Sequence, residues 1–435
     1  MIFLVVLCII LTSIVDISFI KLYDLTSKKN ISMDVKRIAF CLMVSVCLLL
    51  QLILLRYTRN VIKNESKNIT QLKLFNNIVY VSYCLTILLI SILIFQVFYF
   101  NYYNSLILIL IVLITYGTAS SFIAKTATLL IGWYKRNHGF VILIYLISMS
   151  LIIFNLILTN LVVNVYLSER PVKVREFVGG SMDLTAGKFS FLIYSHKIST
   201  VLSFFSIWSA TIVSSYSSRD ELVKRLRYLI MPSLLLVYFL VSYFSQDIFT
   251  TIFASLLQSD PILFSSILLM IFILIKPVGG IMFGIAFWNI SKMVNYEKTL
   301  EKYLIITGYG FLLLFSANQS TSLVLGPYPP FGISTITILI IGTYLIMIGI
   351  YTSATLVSKS VILRQSIHQI TKESNLLELI GTAEMEKEVN KTVNKIIQET
   401  ETSKEFVQTN LELDKTELKE YVEEVIEELR KIKFS

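Results

Sequence analysis

Charge is what this chain lacks. Only 15% of its 435 residues are Asp, Glu, Lys or Arg, against roughly a quarter in soluble domains. Between Lys73 and Lys125, and again between Lys302 and Lys359, there is none at all. A water-soluble core cannot absorb that shortage, so a soluble globular class is excluded. Histidine is scarce as well: His138, His196 and His368 fall beside segment ends or in the tail, with no second ligand at helical spacing. The four cysteines, Cys8, Cys41, Cys47 and Cys84, lie inside apolar segments without the close spacing of a zinc site. They read as small core hydrophobes rather than a disulfide framework or metal centre. No nucleophile pair, phosphate loop or kinase-like motif is present. The reading is of a non-enzymatic protein with no cofactor and no metal.

What is abundant is apolar surface, 55% of residues with a mean hydropathy of +0.73. Crossing a hydrocarbon layer takes about 20 consecutive apolar residues. Windows bounded by charges or turn residues place spans near 2–20, 38–55, 78–100, 105–124, 139–163, 198–217, 228–244, 261–288, 303–325 and 333–357. The fold class expected is all-α: a polytopic transmembrane bundle of about ten spans over residues 1–358, followed by a cytoplasmic charged helical tail over 359–435. The first run has no basic n-region or small-residue cleavage site, so it is expected to remain as the first span. Residues 248–259 are too short to cross and are expected to lie in the interface or re-enter.

Charge is divided unevenly. Residues 1–358 hold 26 Lys+Arg against 13 Asp+Glu, and 359–435 hold 12 against 16, so the bundle carries +13 and the tail −4. Base on short loops is what the positive-inside rule expects and implies no nucleic acid. The connections at 56–73, 125–138, 219–227 and 291–302 are basic, whereas 101–104, 245–260 and 326–332 carry no Lys or Arg. With ten spans in a cell membrane, this asymmetry puts both termini in the cytoplasm. Two basic connections, 21–37 and 164–197, fall on the opposite side and resist the rule.

Inside the membrane, Lys276 stands out in Ile275-Lys276-Pro277-Val278-Gly279-Gly280, because an ionisable group at depth is costly and Pro-Gly-Gly is expected to break the helix. A boundary lysine that snorkels is the plainer reading. Asn318 and Gln319, within Ser316-Ala-Asn-Gln-Ser-Thr-Ser322, must find hydrogen-bond partners on neighbouring helices. Gly308 and Gly310 would admit a close backbone. Ser199, Ser203, Ser206, Ala210, Ser214 and Ser217 recur at helical spacing and form a small-residue packing seam, against which Ile207 matters less. Asp16 lies near the end of its segment and reads as interfacial.

The tail is amphipathic. Met385, Val389, Val393 and Ile396 or Ile397 form one stripe, and Gly381 separates it from a helix continuing the last span. Further on, Asp414 and Glu417 make a capping box, and Leu418, Tyr421, Val422, Val425, Ile426, Leu429 and Ile432 form an apolar face. Leu418, Val422, Val425 and Leu429 are its candidate partner-binding residues, for a cytoplasmic protein or for self-association.

Gly308-Tyr-Gly310, Ser316-Ala-Asn-Gln319, Tyr328-Pro-Pro-Phe-Gly332, Gly349-Ile-Tyr351, Leu363-Arg364, Ile380-Gly-Thr-Ala-Glu-Met385 and Tyr421-Val-Glu-Glu-Val425 together resemble an uncharacterised group of archaeal multi-pass membrane proteins with a helical tail. The resemblance covers roughly the last third of the chain. It implies the architecture and brings no activity or functional residue. The expected function is therefore a membrane sensor or scaffold whose bundle sits in the lipid bilayer and whose tail engages a partner. A secondary transporter of a small solute is the alternative.

Overall fold

The computed structural model describes residues 2–26, 33–65, 70–169, 172–174, 190–216, 230, 232–241, 277–292, 294, 297–318, 328–370 and 376–404. Twelve helices run through these residues: α1 Ile2–Thr26, α2 Met33–Glu65, α3 Thr70–Tyr99, α4 Ser105–Arg136, α5 Phe140–Ser168 and α6 Ser190–Tyr216. They continue with α7 Pro232–Val241, α8 at 277–292, α9 Lys298–Ala317, α10 Ile333–Lys359, α11 Val361–Ile370 and α12 Leu376–Lys404. Seven of them are long and apolar enough to cross a membrane: α2 to α6, α9 and α10. The chain is thus an all-α bundle and reads as a multi-pass integral membrane protein. Among the described residues there is one minimal antiparallel ladder, β1 Tyr103–Asn104 against β2 Lys173–Val174.

The helices are apolar all round, so polarity does not choose their inner faces. Leu4, Leu7 and Leu11 of α1, and Leu42, Leu49 and Ile53 of α2, point outward. In hydrocarbon such residues gain nothing from burial, and association falls to close packing and polar contacts. α10 is where these converge. It contacts α1, α2, α3, α4 and α9 as well as α11 and α12, and nearly all its side chains are buried.

α9 and α10 cross in close backbone contact. A Cβ on Gly310 would lie 2.8 Å from the Ile346 nitrogen and 2.9 Å from the Gly342 oxygen. The expected close backbone at Gly310 is therefore present, and its partner is the central helix.

Several boundaries differ from expectation. α4 does not stop at 124 but continues through Lys125 to Arg136, with Asn104 capping its start by accepting from the Leu106 N–H at 2.9 Å. Lys135 and Arg136 sit in its last turn, where positive charge complements the helix dipole. α9 ends at Ala317, with the Asn318 N–H closing on the Leu314 carbonyl at 3.0 Å, and the rest of the expected span, 319–325, lies outside the described residues. Residues 277–280 are helical, so the two glycines do not break α8. They let it pack closely instead: a Cβ on Gly280 would lie 2.8 Å from the Leu312 backbone, and one on Gly279 would collide with the Phe204 ring.

The two ends of the bundle are chemically distinct. At the turn end, Tyr103 stacks on Tyr328 with ring centroids 6.2 Å apart, and the Tyr328 hydroxyl donates to the Val97 carbonyl at 2.7 Å. The opposite, basic end carries Arg56, Arg59, Lys135, Arg136 and Lys298.

Candidate functional site

Asn318 sits at the end of α9 and is the centre of a polar cluster. Its Nδ2 donates to Asn155 Oδ1 of α5 at 3.0 Å, and its Oδ1 accepts from the Tyr116 hydroxyl of α4 at 3.4 Å. Asn155 Nδ2 in turn donates to Ser199 Oγ and Thr200 Oγ1 of α6, each at 2.9 Å. Both hydroxyls donate onward to the His196 carbonyl. Thr159 Oγ1 lies 2.7 Å from the Asn155 carbonyl and 3.1 Å from His196 Nε2, within hydrogen-bond reach of both. Tyr116 lies 11 residues along α4, about 16 Å from its start, which places the cluster midway through a layer about 30 Å thick.

Asn155, Ser199, Thr200 and Thr159 are all buried, and both amide ends of Asn155 and Asn318 bond side chains of other helices. Uncharged amides and hydroxyls satisfied in this way act as joints between helices. Here four are fastened at one level: α4, α5, α6 and α9.

A second polar joint lies at the turn end. Asp16 of α1 is fully buried within the protein, and it caps the start of α10 at the turn end. Its carboxylate accepts from the Gly332 N–H at 2.9 Å, the Ser334 hydroxyl, and Thr335 Oγ1 at 3.3 Å. Gly332 can turn the chain into α10 because its φ of 91° is left-handed. A carboxylate facing the N–H groups of a helix start is favoured by the helix dipole as well as by the hydrogen bonds.

Close by, Gln51 of α2 donates to Thr337 Oγ1 at 2.9 Å and accepts from the Tyr83 hydroxyl of α3 at 3.1 Å. Its amide also approaches Cys47 Sγ at 3.2 Å, giving that buried thiol a polar contact beyond core filling. On α3, Asn76 Oδ1 accepts from the Tyr344 hydroxyl at 3.0 Å. The central helix is thereby tied to α1, α2 and α3 by side-chain hydrogen bonds.

No family model matches this chain, and no curated protein or solved structure matches it either.

At the basic end the tail is seated on the bundle. Leu376, Leu377, Ile380 and Ala383 of α12 are buried. Trp133 Nε1 of α4 donates to Glu384 Oε2 at 2.7 Å, and Lys387 Nζ reaches Glu384 Oε1 at 2.6 Å. Glu384 is 1% exposed, so the indole and the ammonium are what make its burial tolerable. Asn137 Nδ2 donates to the Leu379 carbonyl at 3.3 Å.

Gly381 does not separate two helices; α12 passes straight through it. A side chain there would meet Val357 of α10, whose Cβ lies 2.8 Å from the required position. The chain turns instead at Ser360, between α10 and α11. Arg364 caps α10 by donating to the Val357 carbonyl at 3.3 Å and to the Ser358 carbonyl. Partial burial lowers its pKa below that of a free guanidinium.

Of the residues singled out in the sequence, the structure brings Asn318 into a cluster. Lys276 and Gln319 lie outside the described residues, as do Leu418, Val422, Val425 and Leu429 of the tail. The small-residue face of α6 is buried at Ser199, Ser203, Ser206, Ala210 and Ser214; Ser217 lies outside the residues whose side chains are described. Ile207 is buried equally well, so it belongs to the contact rather than standing aside from it. Trp133, Glu384, Asn155 and Gln51 were passed over. Asn155 and Gln51 are amides within apolar runs, a signal that was visible; Trp133 and Glu384 lie 251 residues apart and nothing local pairs them.

Proposed function

We propose that this protein is a non-enzymatic membrane sensor or scaffold. Its bundle is a rigid platform in the lipid bilayer, and its tail carries the state of that platform to a cytoplasmic partner. The observation that carries the reading is the seat of α12. Gly381 rests on the central helix through Val357, Glu384 is gripped by Trp133, and beyond Lys387 the same helix presents exposed residues at 388–392. Val389, at the head of the tail stripe, is 40% exposed. A helix held at one end and exposing an apolar residue on its free part is suited to engage another helix. The basic end then faces the cytoplasm, in keeping with the positive-inside rule.

The test is a photo-crosslinking residue at Val389 in the full chain in native membranes. A discrete protein adduct is expected, altered when Glu384→Gln loosens the seat. The absence of any adduct, from both the protein and its Glu384→Gln variant, would contradict the reading.

A secondary transporter is the second reading, favoured by the termination of α9 at Asn318 inside a polar cluster, since helix ends at membrane depth form binding sites in many carriers. The use of its amides as joints between helices counts against it. Solute-dependent uptake into proteoliposomes, lost in Asn155→Ala, would put it first.

A further inference from the structure

An open groove of about 470 Å3 runs along the outward face of α3, lined by Leu74, Asn77, Ile78, Val81 and Ser82. It lies toward the seam with α4. Thr118 Oγ1 donates to Ser82 Oγ at 3.2 Å across that seam, and two turns further along each helix the Lys125 ammonium sits 5.8 Å from the centroid of the Phe75 ring. The antiparallel pairing thus brings Lys125 level with the Leu74 and Ile78 end of the groove. On the α4 side, a Cβ on Gly117 would meet nothing within 4 Å, so space stays open toward the membrane centre.

Depth identifies what such a groove faces. Ser105 and Lys125 are 20 residues apart on one helix, about 30 Å, which is the thickness of the hydrocarbon layer. With Ser105 at the turn end, Lys125 stands at the opposite edge, at the level of lipid phosphates. Among the described residues its ammonium meets the Phe75 ring and no carboxylate.

We propose that the groove on α3, beside its seam with α4, holds one anionic phospholipid. Its phosphodiester is met by Lys125, and one acyl chain lies along Ile78 and Val81. Charge complementarity chooses this occupant. A zwitterionic headgroup brings its own cation to a site that already has one, whereas an anionic headgroup supplies the counter-ion Lys125 lacks.

The experiment is native mass spectrometry of the full chain released from nanodiscs of phosphatidylglycerol and phosphatidylcholine in equal amounts. One phosphatidylglycerol should be retained about fivefold more than phosphatidylcholine. Lys125→Gln should erase the preference, Lys125→Arg should keep it, and Lys135→Gln, an exposed change further along α4, should leave it intact. Ile78→Trp fills the groove without touching the cation and should lower retention of both lipids, while free glycerol phosphate should not compete. Equal retention of the two lipids, a preference that survives Lys125→Gln, or equal sensitivity to Lys135→Gln would overturn the proposal.

Discussion

Replacing Asp16 by alanine should be among the most damaging single changes in the described part of the chain. The carboxylate is fully buried and accepts three hydrogen bonds at the start of α10. Its removal leaves the Gly332 N–H and the Ser334 hydroxyl without an acceptor where water is excluded. A buried donor stripped of its partner costs about 1–3 kcal/mol, and loss of a helix cap costs about 0.5–2 kcal/mol. Because these terms overlap, and because hydrogen bonds inside membranes average less than in water, the expected loss is about 3 kcal/mol. Asp16→Asn keeps one acceptor oxygen and should lose about half of that. Unfolding of the purified protein by graded SDS in mixed micelles measures the difference. Asp34→Asn is the control, since Asp34 pairs with Arg37 at an exposed position and should behave as the parent protein. If Asp16→Ala unfolds together with the parent protein and with Asp34→Asn, the carboxylate does not hold α1 to α10 and the reasoning fails.

Gly310→Ala should cost about 1–3 kcal/mol through overpacking, because its methyl would collide with the backbone of α10; unchanged thermal stability in detergent would refute the tight crossing. Ser206→Leu and Ile207→Ala should both destabilise, the first by prising apart the α6 contact and the second by opening a cavity of about 2–4 kcal/mol, as read by the same melts. A reporter fused after Phe331 should behave as external and one after Ser435 as cytoplasmic, and agreement between the two would sink the orientation.

How much of this was legible in the sequence follows from the solvent. Long charge-free runs can only be satisfied by membrane-spanning helices, so the architecture was readable from Lys73–Lys125 and Lys302–Lys359 without any contact being known. The extent of each helix was less so: hydropathy marks where hydrocarbon ends, not where the helix does, and α4 runs eleven residues past Lys125. Glycines misled in two places, at Gly279-Gly280 and at Gly381, because the same residue that breaks a helix also permits close packing, and only the neighbour decides between them. The acceptor role of Asp16 was not readable, because it depends on Gly332 and Ser334, more than 300 positions away. Asn318 was recognisable as needing partners; which helices supply them was not.

The account turns most on the tail being seated on the bundle. Hydrogen exchange on the full chain in nanodiscs measures this directly. Amides of residues 376–386 should be protected almost as well as those of α10, amides of 388–392 should exchange far faster, and Trp133→Phe should raise exchange in the first stretch by releasing Glu384. Rapid exchange throughout 376–392 in the unaltered protein would contradict the account.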